Sequence, residues 1–133
     1  MKRIAIAVAT TAALLASPAL FAKERISGEE KLARMLDGRV AGEPVKCVPY
    51  GQSDEMKIID KTAIVFGRGE TIYVNRPTNA DSLDDDDVLV RRSHTARVCN
   101  LDIVQLLDQT SKMYTGTVGL SEFVPYRKVA YAD

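Results

Sequence analysis

Apolar residues run from Ile4 to Leu15 without a single charge, directly after Lys2 and Arg3. Ser17 and Pro18 break the run, and small residues lead to Ala22. A charged start, an apolar middle and a small-residue end make the three-part pattern of a secretory signal peptide. Residues 1–22 are therefore expected to be a leader. The cut falls after Ala22, or after Ala19, because Leu20 is large for the position three before the later cut. Ile4–Ala22 is almost long enough to span a bilayer. Pro18 interrupts it, however, and Lys23-Glu24-Arg25 is not a strong basic stop signal. The expectation is export to the periplasm or beyond, with no stable membrane insertion after cleavage.

The pattern then becomes helical. Ser27-Gly28-Glu29-Glu30 has the form of a capping box, and Leu32, Met35 and Leu36 recur on one helical face. Gly38 is a stop signal, so one helix is expected over about Gly28–Asp37. From Val45 onward the apolar runs shorten and turn residues separate them. Val45–Pro49, Met56–Ile59, Thr62–Phe66, Thr71–Asn75, Val88–Arg91, Asp102–Leu107 and Phe123–Arg127 read as strands. Asp60-Lys61 makes a tight turn, and Gly67-Arg68-Gly69-Glu70 a hairpin loop that can use positive φ. Ile103, Leu106 and Leu107 also fit one helical face; the short, β-branched start of that run favours a strand. No helices separate these strands, which excludes a parallel βαβ fold. The expected class is α+β: one N-terminal helix and a mainly antiparallel sheet, curled into a small barrel or sandwich, with its core over about 28–127.

Length and charge narrow the picture. The chain has 133 residues, enough for one domain, and 46% of them are hydrophobic, enough for a core. Its 18 basic and 18 acidic groups cancel. Loss of the leader removes Lys2 and Arg3 and leaves a mature domain, 23–133, with a charge of −2. Nucleic-acid binding through bulk charge is not expected. Export changes the meaning of Cys47 and Cys99, the only two cysteines. An even pair in an oxidising compartment reads as a disulfide, closing a long loop worth about 4 kcal/mol. No C-x-x-C spacing supports a redox pair.

Candidate chemistry is sparse. Asp81 and Asp84 to Asp87 form an acidic loop, but without the alternating ligands and glycine of a calcium loop. It reads as a solvated loop that Arg91, Arg92 and Arg97 help to offset, and no metal is expected. Ser93, His94 and Asp102 contain the residue types of a nucleophilic triad. There is no nucleophile elbow, and neighbours on a strand point to opposite faces. No catalytic residue and no cofactor are assigned. Tyr73, Asn75 and Arg76 form the richest polar-aromatic run and are a possible contact surface. The plainer reading packs Tyr73 on the core and pairs Arg76 with an aspartate of the next loop.

GRVAGEPVKCVPY, TAIVFGRGETIYVNRP, RVCNLDIVQLLD and GLSEFVPYR follow one another in that order. This ordered set, covering about Leu32–Arg127, resembles a family of small exported bacterial domains, mostly proteobacterial, known only as a domain of unknown function. The resemblance implies export and a compact domain. It brings no activity, catalytic residue or cofactor. The functional expectation is an exported binding or interaction module, with an envelope protein or a small ligand as its partner. The alternatives are a cation-binding or stress-related envelope protein, and a hydrolase with an unidentified site.

Overall fold

The computed structural model describes residues 25–93 and 95–129. The expected leader, 1–22, and His94 lie outside them.

One helix, α1 (Gly28–Leu36), opens the domain. Ser27 caps it, its Oγ accepting from Glu30 N at 3.2 Å. The return arm of the capping box is not made, because the Glu30 carboxylate accepts from Arg34 Nη2 at 2.8 Å instead. Gly38 ends the helix at φ 72°, in the left-handed region that favours glycine.

Eight strands follow among the described residues: β1 (Arg39–Ala41), β2 (Met56–Ile59), β3 (Ala63–Phe66), β4 (Thr71–Asn75), β5 (Asp87–Arg91), β6 (Ile103–Asp108), β7 (Tyr114–Gly119) and β8 (Phe123–Lys128). They form two antiparallel sheets, ordered β1-β8-β4-β3-β2 and β5-β6-β7. The expected α+β class is therefore found, and the ambiguous run after Asp102 is strand. The sheets do not close into a barrel, so the packed, sandwich-like alternative is the one present.

The five-stranded sheet is covered on both faces. On one, Leu32 of α1 is buried among Ile59, Ala63, Val65, Ile72 and Val74, flanked by Met35 and Leu36. On the other, Ile64, Phe66 and Phe123 meet Val104, Leu106 and Val118 of the smaller sheet. Phe66 and Phe123 stack edge to face, with ring centroids 5.4 Å apart. Burying Leu32 alone contributes about 1.5–3 kcal/mol, which is what docks the helix.

Three details depart from expectation. Val45–Pro49 forms no regular strand. Val45 bridges Phe123, Cys47 bridges Cys99, and Val48 N donates to Val98 O at 2.9 Å, so the segment changes partner as it crosses between the sheets. The turn after β2 is Asp60-Lys61-Thr62, one residue longer than expected, with Lys61 at φ 53°. β1 and β7 have no counterpart among the expected strands.

Candidate functional site: a seam between two sheet edges

β2 is the last strand of the larger sheet and β5 the first strand of the smaller one, so each carries an unpaired edge. Both edges line one groove of about 770 Å³, with Met56, Lys57, Ile58 and Ile59 from β2 and Asp87, Val88 and Leu89 from β5. Lys31, Arg34 and Met35 of α1 form its wall.

The ladder bonds show where the backbone of each edge points. Gly67 N donates to Glu55 O at 2.8 Å, and Thr62 N to Ile59 O at 3.0 Å. Residues 55, 57 and 59 thus turn their N–H and C=O groups toward β3. By the alternation of an antiparallel ladder, Met56 and Ile58 turn theirs to the open side. On β5, Gln109 N donates to Asp86 O at 3.0 Å, so residues 86, 88 and 90 serve β6 and Leu89 faces outward. An edge of this kind can hydrogen-bond another extended chain.

Side chains along β2 divide between two surroundings. Ile58 packs on the core between the sheets, and Ile59 on the core under α1. Met56 shares the first side and Lys57 the second. Below Met56 and Leu89 lies a second cavity of about 250 Å³, whose apolar walls include Phe66, Val98 and Val104. One end of the seam is tied shut: Lys61 N donates to Leu83 O at 3.0 Å, and Lys31 Nζ stands 3.5 Å from Asp85. Asp87 is buried and accepts from Thr115 Oγ1 at 2.7 Å.

The residues singled out by sequence fall elsewhere. Cys47 and Cys99 are joined, with sulfurs 2.08 Å and Cα atoms 4.0 Å apart, directly opposite each other in an antiparallel bridge. Tyr73 is half-buried and packs on the core between the sheets. Asn75 is fully buried; its Nδ2 donates to Ser121 O at 2.6 Å and its Oδ1 accepts from Ser121 N at 3.1 Å. Its side chain is therefore an internal tie and presents nothing to a partner. Arg76 is exposed and pairs with Glu29 of α1 at 2.7 and 3.2 Å, not with an aspartate of the following loop. That bidentate contact lowers the Glu29 pKa and raises that of Arg76.

Arg91 does not offset the acidic loop; it bonds Asp102, Arg97 O and Thr95 O. Asp102 is further committed to Cys99 N at 2.9 Å. Lys31 takes the offsetting role beside Asp85. Asp60, from the β2–β3 turn, joins Asp84 and Asp85, with one oxygen of each within 4.8 Å of the others. Sequence spacing could not show that neighbour.

Comparison with known proteins finds no matching family model, no matching curated protein and no matching solved structure. The disulfide points to an oxidising, exported compartment. No helix among the described residues is long and apolar enough to cross a membrane.

Proposed function

We propose that this chain is a periplasmic binding module that takes an extended polypeptide segment of another envelope protein along β2. The observation that carries the reading is the seam. An edge strand with outward-facing backbone groups at Met56 and Ile58 borders a groove of ligand-binding size, lined by apolar and charged side chains. Strand addition uses those two features together: main-chain bonds supply affinity, and alternate side-chain pockets supply selectivity. The leader pattern of residues 1–22 and the disulfide support the compartment.

Amide hydrogen exchange tests the reading. The probe is a short neutral peptide of alternating threonine and valine with one central phenylalanine. Binding is expected to protect the amides of Met56 and Ile58. Those of Lys57 and Ile59, already bonded to β3, should change little. No added protection at Met56 and Ile58 at millimolar peptide would overturn it. Protection confined to the face around Arg76 would do the same.

A further inference from the structure

We infer that the segment taken by the seam alternates bulky apolar residues with acidic ones. The inference rests on the strand-addition reading and adds the chemistry of the partner. A strand lying along β2 has two faces, as β2 itself has. One face continues the side of Met56 and Ile58, toward the space between the sheets. There lies the cavity of about 250 Å³, which shares Met56 and Leu89 with the groove and has Phe66, Val98 and Val104 as apolar walls and Ser53, Asp54 and Arg91 as polar ones. A dry cavity of roughly 150 Å³ holds a benzene molecule, so this one accommodates an aromatic or large aliphatic side chain.

The other face continues the side of Lys57 and meets the wall formed by α1. That wall carries Lys31, Arg34 and Met35. Lys31 is matched by Asp85 and Arg34 by Glu30, both in exposed pairs. Lys57 is exposed and makes no ion pair among the described residues. Of the two aspartates that line the groove, Asp85 is matched by Lys31, whereas Asp87 keeps its charge but shares the Leu89 side of β5, against Thr115 and toward the space between the sheets. The charge left for an incoming strand on this side is positive. Carboxylates at alternate positions complement it; lysines there repel it.

Three versions of the peptide test the inference, with threonines kept, replaced by glutamate, or replaced by lysine. In low salt the glutamate peptide should bind about threefold to tenfold tighter than the neutral one, and the lysine peptide weaker. Added salt should shrink the difference. Lys57→Glu should reverse the order, while Lys128→Glu, the same charge change on β8, should leave it intact. Replacing the central phenylalanine by alanine should weaken all three at least tenfold. Equal binding of the glutamate and lysine peptides overturns the inference and leaves the strand-addition reading standing. Binding of none of the three overturns both.

Met56→Pro separates backbone from side-chain binding. Met56 is half-exposed, begins β2 and spends no N–H on β3. Proline should be accepted there without loss of the fold, yet abolish peptide binding. Unchanged binding by a folded Met56→Pro protein would show that the peptide does not add as a strand.

Discussion

Gly28 shows how closely a single residue governs the docking of the helix. A Cβ on Gly28 would overlap the carbonyl oxygen of Asp60 and Thr62 Oγ1. The hydroxyl can rotate away; the carbonyl belongs to the β2–β3 turn and cannot. Gly28→Ala should therefore lower stability by about 1–3 kcal/mol in urea unfolding, although alanine is the better helix former. No loss would mean that α1 can shift freely over the sheet. The Glu29–Arg76 pair ties the same end of the helix to the end of β4. Hydrogen bonding to Arg76 depresses the Glu29 pKa. A depressed carboxyl contributes stability above its unfolded-state pKa and loses it as pH falls through the folded value. Acid should thus loosen this end of α1 from the ordinary glutamate range downward. The loss should stay under about 1 kcal/mol, because both groups are more than half exposed. In Arg76→Met the Glu29 titration midpoint, followed by NMR, should rise toward the ordinary glutamate value. A fixed midpoint would remove Arg76 as the cause.

Among the elements, what was legible in sequence is what local pattern determines. Met56–Ile59 and Thr71–Asn75 occupy the expected positions, as do the helix and the glycine loop between β3 and β4, where Gly67 and Gly69 take φ 84° and 87°. β7 escaped because Gly116 and Gly119 dilute its β-propensity and Val118 is its one fully buried side chain. β1 is three residues long and borrows its conformation from pairing with Tyr126, Arg127 and Lys128, eighty-odd residues away. The burial of Asn75 and the nearness of Asp60 to Asp84 and Asp85 escaped for the same reason: the partners are distant in sequence. The seam was not legible either, since nothing local states that β2 and β5 lack a further neighbour. The acidic loop keeps its plain character at this scale. Asp84 Oδ1 accepts from Asp86 N at 2.9 Å, and Asp84 O accepts from Asp87 N at 3.1 Å, so the aspartates shape a turn. Changing Asp85 and Asp86 together to Asn should leave stability within about 0.5 kcal/mol, or raise it slightly by relieving repulsion. A rise of several degrees in Tm with millimolar calcium, abolished by that double change, would instead make Asp60, Asp84 and Asp85 a cation site.

At the scale of the molecule, the disulfide joins the two sheets. Cys47 follows the bridge from Val45 to β8 of the larger sheet, and Cys99 precedes β6 of the smaller one. It spans 52 positions in sequence. Cys47→Ala should lower stability by roughly 2–5 kcal/mol, and Cys99→Ala should match it, since either leaves one thiol unpaired. Unequal losses, compared by thermal and urea unfolding, would mean that one cysteine packs for its own sake. Reduction should also free the sheets to move apart at the seam, so peptide affinity offers a second readout.

The position of β8 also governs the order in which the molecule can be completed. β8, the last of the described strands in chain order, lies between β1 and β4 in the larger sheet. A chain delivered from its N-terminus can form the β2-β3-β4 meander early, but β4 then waits with a bare edge. Val45 waits for Phe123, and Asn75 for Ser121. Only when β8 emerges do β1 and β4 gain their shared neighbour and these long-range contacts form. Such pairing is slow to form, and the waiting edge is open to other nascent chains. The time between the arrival of β4 and that of β8 is therefore when this small domain most needs a chaperone.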